Sequence, residues 1–299
     1  RVNDGYVHRE RIDARAAGQG LLAYLSARYA HSSPAEWAAH LAAGRVALDG
    51  VPGQAHDRLR HGQELAWHRP PWDEPDAPLA LALLYDAGGL LVVAKPAGLP
   101  TLPGGGFLQH TLLHQLRLLH PDASPLHRLG RWTSGAVLCA RTSGAAASVS
   151  AQFVARTIHK RYRALASGRP ALDRFEITAP IGPVAYPPLG LVHAADPGGR
   201  HASSSVVVLR RGDDSSLCDV TIATGRPHQI RIHLASAGHP LVGDPLYGAR
   251  GLPIDGGVAL PGDPGYLLHS AEIGFVCPDG GGPVRVLAPP PADLSVDGA

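Results

Sequence analysis

Residues 68–78 read H-R-P-P-W-D-E-P-D-A-P, and this segment restricts the folding of the chain more than any other. Pro70, Pro71, Pro75 and Pro78 each lack a backbone N–H and fix φ, so neither a helix nor a central strand runs through them. A chain of 299 residues is therefore expected to divide here, into a small module over 10–68, a proline-rich linker over 69–78 and a larger domain over 79–292. That length suits about two domains with a sizeable core. A charged fraction of 17% against a hydrophobic fraction of 44% excludes a disordered chain. A net charge of +2 permits nucleic acid as a partner without demanding it, so any binding face must come from local clustering.

In the small module, residues 20–28 predict a short helix carrying Leu21, Leu22 and Leu25. Ser33-Pro34-Ala35-Glu36 predicts a second helix start: Ser33 caps, Pro34 takes the first helical position and Glu36 closes a capping box. Trp37 and Leu41 give that helix an apolar face, and Gly44 ends it. Residues 45–48 alternate like a strand, Asp49-Gly50 is a hairpin turn signal, and a further strand is expected at 63–67.

In the larger domain, 79–84 and 89–94 are apolar enough for buried strands. Leu108, Leu112, Leu113, Leu116 and Leu119 predict one helix face. His110 and His114 fall one turn apart on it, but no third ligand stands beside them, so they read as surface histidines and no metal is expected. Residues 142–156 predict a helix, 158–166 a strand, 205–211 and 217–224 a hairpin, and 227–237 a last helix closed by Gly238. Residues 168–203, rich in Pro and Gly, predict little. Many strands with few dispersed helices predict an α+β domain built on a mixed, largely antiparallel sheet.

Cys139, Cys218 and Cys277 are far apart, which argues for a reducing compartment and against disulfides or a thiolate metal site. No secretory pattern opens the chain and no apolar run of about 18 residues occurs in it, so the cytoplasm is the expected location. The chain has no Met, so either an initiator or some modified residues are absent from the sequence as written. A monomer is expected.

Two stretches concentrate chemistry. His127-Arg128-Leu129-Gly130-Arg131-Trp132-Thr133-Ser134-Gly135 crowds two guanidiniums, an aromatic ring and two hydroxyls into a turn before the apolar run 136–140. Thr224-Gly225-Arg226-Pro227-His228-Gln229-Ile230-Arg231-Ile232-His233 opens a helix whose first turns carry two guanidiniums, two imidazoles and an amide. Arg231 borders the apolar face, so its stem packs while its head reaches into a cleft. Taken alone, the two stretches also read as a solvated turn and a basic amphipathic helix. A hydrolase using Ser134 or His127 finds no G-x-S-x-G elbow.

Five blocks in order resemble the RluA-type RNA pseudouridine synthases. Val92 to Pro100 looks like V-x-K-P-x-G-L, 127–135 like H-R-L-D-R-x-T-S-G, and 159–165 like the K-x-Y-x-A strand. Residues 224–233 are similar to T-G-R-x-H-Q-I-R-x-H, and 238–248 to G-H-P-L-x-G-D-P-x-Y-G. The module before them, around A-A-G-R-V-A-L-D-G, resembles the αL RNA-binding module often fused to such enzymes. The resemblance implies a pseudouridine synthase-like α+β domain behind a small RNA-binding-like one. It also implies isomerisation of a flipped-out uridine in structured ribosomal or transfer RNA, with no cofactor and no metal.

By the same resemblance Arg128 fills the gap left by the flipped base, Tyr162 holds the uracil and Arg231 is the counter-charge to a catalytic Asp. RNA contacts are implied at Lys95, His127, Arg131, Thr133, Arg226, His228 and Gln229. One position departs: Gly130 stands where the family has that Asp. Arg231 is then expected to lack its partner. Either another acid, with Asp86, Asp122 and Asp244 the candidates, serves the reaction, or the chain is a catalytically lapsed RNA-binding relative that keeps the pocket.

Overall fold

Ser33 starts a helix as its motif requires. Its side chain accepts from the Glu36 N–H while the Glu36 carboxylate accepts from the Ser33 N–H at 2.6 Å. The computed structural model describes residues 2–29 and 31–296. It divides after Glu74 into two units, Arg1–Glu74 and Pro75–Ala299.

The first unit runs β1 (Tyr6–Arg11), α1 (Leu21–Arg28), α2 (Pro34–Ala42), β2 (Val46–Leu48), β3 (Val51–Pro52) and β4 (Glu64–Arg69). Its sheet has the order β1-β4-β2-β3. Asp49 and Gly50 both have positive φ, 50° and 82°, the backbone that a two-residue hairpin turn from β2 to β3 demands. Leu21, Leu25, Trp37, Leu41 and Trp67 fill the core, and the rings of Trp37 and Trp67 meet edge to face at 4.8 Å. The unit is larger than the sequence suggests. Strand β1 pairs with β4 along its whole length, and Asn3 donates to the Glu74 carboxylate at 2.8 Å. The first part of the expected linker is thereby fastened into this unit. Pairing between residues 71 apart leaves no trace in local composition.

The second unit contains β5 (Ala82–Ala87), β6 (Leu90–Lys95), α3 (Leu112–Leu119), β7 (Ser124–Pro125), β8 (Ser134–Ala140), α4 (Ser143–Ala155), β9 (His159–Ser167), β10 (Arg174–Ile177), β11 (Ile181–Tyr186), β12 (Gly190–Ala195), β13 (Ser204–Arg211), β14 (Ser215–Ile222), α5 (Gln229–Ser236), β15 (Leu268–Val276) and β16 (Pro283–Leu287). The main sheet has the order β10-β13-β14-β9-β15-β8-β6-β5, with β16 on β15 and β7 on β8. Every pairing in it is antiparallel except β15 with β8.

The apolar runs of β6 and β8 serve both faces of that sheet, because successive side chains alternate. Leu91, Val93, Val137 and Cys139 join one core with Leu112 of α3 and Ile230 of α5. Leu90, Val92, Ala136 and Leu138 join the other with Val149 of α4. Strand β15 is the seam between the two halves of the sheet. Its parallel pairing with β8 brings Ser270 against Gly135, where φ is +106° and any Cβ would collide with the Ser270 backbone.

Several expectations are corrected. Strand β5 is mostly exposed, because it is the last strand on its edge of the sheet. Helix α3 begins only at Leu112, capped by Thr111, so Leu108 and His110 lie outside it and Leu119 is exposed. His110 is not a surface residue: it is buried, and its Nδ1–H donates to the Pro75 carbonyl at 2.7 Å. Residues 168–203, which predict little, supply β10 and the β11–β12 hairpin. That hairpin packs Ile181, Val192 and Ala194 against Ile232 and Ala235 of α5. No helix among the described residues is long and apolar enough to cross a membrane.

Candidate active site

The turn before β8 is tied down by main-chain carbonyls before any side chain reaches the cleft beside it. Buried Lys95 donates to the carbonyls of Pro96, Leu99 and Arg131 at 2.9, 2.7 and 3.0 Å. Burial pulls its pKa down to about 7, against the hold of three acceptors on the ammonium. The Thr101 hydroxyl donates to the Leu129 carbonyl at 2.9 Å. Arg131 donates to the Gly98 carbonyl at 3.0 Å and lays its guanidinium 4.5 Å from the Phe107 ring centre. His127 turns its ring beside Phe153 and accepts from the Leu138 N–H, and burial with the charge of Lys160 pushes its pKa down to about 4. Lys95 and Arg131 thus hold main-chain carbonyls of the loops, His127 holds the Leu138 N–H of β8, and none of the three lines the cleft.

The cleft, about 110 Å³, is smaller than the roughly 300–1,000 Å³ of sites for drug-sized molecules. Ile222, Ile230, Leu268 and the ring of Tyr162 give it apolar walls. Burial raises the Tyr162 phenol to about 12, with a hydrogen bond from Ser270 opposing. Arg128, exposed, and Arg226 stand at its rim, and Gly130, Thr133, His228 and Gln229 also face it. Gln229 is a brace: its amide oxygen accepts from the Thr224 hydroxyl at 2.7 Å and the Arg226 N–H at 3.0 Å. Its amide nitrogen donates to the Ser203 carbonyl and the Ser204 hydroxyl.

His228 precedes α5 with φ of 54°, which is why the helix starts two residues later than the sequence suggests. Tyr247 gives its hydroxyl proton to the His193 carbonyl at 2.7 Å, so its oxygen must accept from His228 Nδ1–H at 2.6 Å. His228 Nε2 is left as an acceptor. Burial, then Arg231, pushes the His228 pKa down to about 3, so the ring is neutral.

Arg231 is not left without a partner. Its Nε and Nη2 reach the two oxygens of Asp244, both at 2.7 Å, and Nη1 donates to the Pro261 carbonyl. Burial lowers its pKa, but the Asp244 contacts outweigh that and hold it above the ordinary value. Asp244 Oδ1 also accepts from the N–H groups of Leu246 and Tyr247. Asp86 pairs with Arg141, and Asp122 is exposed on a turn. Neither they nor Asp244 line the cleft, and no carboxylate does among the described residues.

Gly130 has no positive φ, so its backbone admits a side chain. A Cβ there would stand 3.0 Å from the Tyr266 hydroxyl and 3.4 Å from that of Thr133. Tyr266 itself was not singled out by the sequence, since P-G-Y-L-L-H carries no motif around it. The Arg231 guanidinium lies 4.1 Å from its ring centre.

A cleft of this size, walled by tyrosine and aliphatic side chains and rimmed by guanidiniums, suits a single base of a nucleic acid chain. A family model described as RNA pseudouridylate synthase matches residues 89–236. An RNA pseudouridine synthase of Synechocystis sp. is 41% identical over 276 residues, 92% of this chain and 95% of the relative. RNA pseudouridine synthase 5 of Arabidopsis thaliana is 37% identical, covering 91% of this chain and 89% of its own. Ribosomal large subunit pseudouridine synthase D of Xanthomonas campestris is 35% identical, over 93% and 88%. The solved structure of Human RNA Pseudouridylate Synthase Domain Containing 1 matches with a TM-score of 0.59 at 27% identity, covering 75% of this chain and 89% of that one. The chain belongs to the RNA pseudouridylate synthase family: it is an isomerase acting on uridine in RNA.

Proposed function

We propose that this cleft takes in one uridine flipped out of ribosomal or transfer RNA and returns it as pseudouridine, in the cytoplasm. The observation that carries the reading is the juxtaposition of Tyr162, buried in an apolar wall, with exposed Arg128 at the rim. A flipped base needs a flat apolar surface to lie on, and the gap it leaves needs a side chain to fill it. Tyr162 supplies the first and Arg128 the second, while Arg226 offers a second guanidinium to phosphates. Ribosomal RNA is favoured by relatives named for the large subunit, such as that of Xanthomonas campestris. Three buried free cysteines favour a reducing compartment.

The isomerisation needs no net oxidant or cofactor. The N1–C1′ bond breaks, a C5–C1′ bond forms, and one proton leaves C5 while one is gained at N1. The test is mass-spectrometric mapping of pseudouridine in ribosomal and transfer RNA from cells with and without the protein. One or more uridines are expected to lose modification when the protein is absent. Identical maps would overturn the reading and leave a protein that only binds RNA.

A further inference from the structure

We propose that Tyr266 is the proton-carrying catalytic residue of this enzyme, acting beside the position where Gly130 offers no carboxylate. The proposal rests on the isomerase reading above. Three tyrosine hydroxyls lie at or near the cleft, and their surroundings differ. The Tyr162 phenol also lines the cleft, but it is engaged by Ser270, and burial raises its pKa to about 12. Tyr247 is committed at both ends, donating to the His193 carbonyl and accepting from His228. Tyr266 lines the cleft, and among the described residues its hydroxyl meets only Thr133 Oγ1, at 3.4 Å, the outer limit of a hydrogen bond. Its proton is therefore free to move.

The hydroxyl also stands where the missing group would project, 3.0 Å from the point a Gly130 Cβ would occupy. On the ring face, 4.1 Å from its centre, lies the guanidinium of Arg231. That cation is fixed in place by its ion pair with Asp244.

The proton balance of the reaction fits one relaying phenol. As N1–C1′ breaks, the bonding pair stays on N1, which takes the Tyr266 proton, leaving a phenolate against Arg231. The freed base turns within the cleft. The C5–C6 π pair then forms the C5–C1′ bond, and the phenolate removes the C5 proton, restoring the phenol. Electrons and protons balance with no further reagent. Neither the side chain nor the RNA is altered beyond the isomerisation.

The test uses the full chain and, as probe, ribosomal and transfer RNA from cells lacking the protein, labelled with tritium at uridine C5. Wild type is expected to release tritium to water and to form pseudouridine. Tyr266→Phe keeps the ring and its stacking on Arg231 but loses the relay. It is expected to slow release by about 100-fold or more, the range for losing a general acid–base, with RNA affinity and thermal midpoint unchanged. Gly130→Asp placed in the Tyr266→Phe background, where the crowding hydroxyl is gone, is expected to recover part of the rate. Tyr266→Phe turning over within threefold of wild type would overturn the proposal while leaving the isomerase reading intact. Wild type that forms no pseudouridine in any of these RNAs would overturn the isomerase reading, and the role of Tyr266 with it.

Discussion

Arg231 and Asp244 meet in a two-point ion pair, Nε to Oδ2 and Nη2 to Oδ1, with the two side chains only 3% and 1% exposed. The cation that borders the cleft is therefore already paired, and its place in the fold does not depend on a carboxylate at position 130. Removing one partner of such a pair strands a buried charge, which costs about 3–5 kcal/mol. Asp244→Asn is expected to lower the unfolding free energy by that amount in urea titrations. A loss below about 1 kcal/mol would show that the pair is not what holds Arg231 in place.

Gly130→Asp is expected to fold. The backbone there is ordinary, and the tight contact is with the far end of one side chain, Tyr266 Oη at 3.0 Å. Crowding of this kind costs about 1–3 kcal/mol. In a Tyr266→Phe background the cost should fall, so a double-mutant cycle on thermal unfolding should give a coupling of about 0.5 kcal/mol or more. Strict additivity would place the two side chains out of contact.

Stability should decline in acid. Burial holds His127 near pKa 4 and His228 near pKa 3 in the folded protein, whereas an unfolded histidine titrates at about 6.5. Between those values the unfolded chain binds more protons, so stability is fully present above about pH 6.5 and is lost as pH falls toward 4 and then 3. Each group contributes up to about 1.4 kcal/mol per pH unit inside its window. Urea midpoints measured from about pH 7 to about pH 4.5 should fall steadily, and His127→Gln should make the decline shallower. A flat profile would mean that both rings protonate as freely folded as unfolded.

Lys95→Met is expected to unfold the site before it touches the chemistry. It removes the donor from the carbonyls of Pro96 and buried Leu99 and one of the two donors to Arg131, which keeps the Gly98 N–H. One unsatisfied buried group costs about 1–3 kcal/mol, and a loss in that range is expected. Hydrogen exchange at residues 127–133 should accelerate more than exchange in β9. Equal acceleration in both would make Lys95 a general core residue.

Much of the fold was legible because local chemistry decided it. The Ser33 capping box, the Asp49-Gly50 turn and the two-faced apolar strand at 136–140 each follow from a few adjacent residues. What escaped prediction depends on distant partners. Strand β1 is defined by β4, and the β11–β12 hairpin by α5. The site was legible in part: Tyr162, Arg231, Arg128, Thr133, Arg226, His228 and Gln229 do converge on one cleft. Lys95, His127 and Arg131 belong to the same motifs but turn away from it, since a motif marks which residues matter without separating those that fasten the turn from those that face the substrate. Tyr266 was invisible because it meets Thr133 from 133 residues away, and the attachment of Asp244 to Arg231, only 13 residues on, because it depends on how the chain turns back after α5.

The seam strand β15 also sets when the enzyme comes into being. Ser134 and His269, joined across it, are 135 residues apart in the order of synthesis. Until β15 emerges from the ribosome, β10-β13-β14-β9 and β8-β6-β5 are two separate half-sheets with raw facing edges. Tyr162 sits on one half, Gly130 adjoins the other, and Tyr266 arrives only with the strand that joins them. A nascent chain thus carries its arginine-bearing turn well before it has a cleft, and such late closure of distant contacts slows folding.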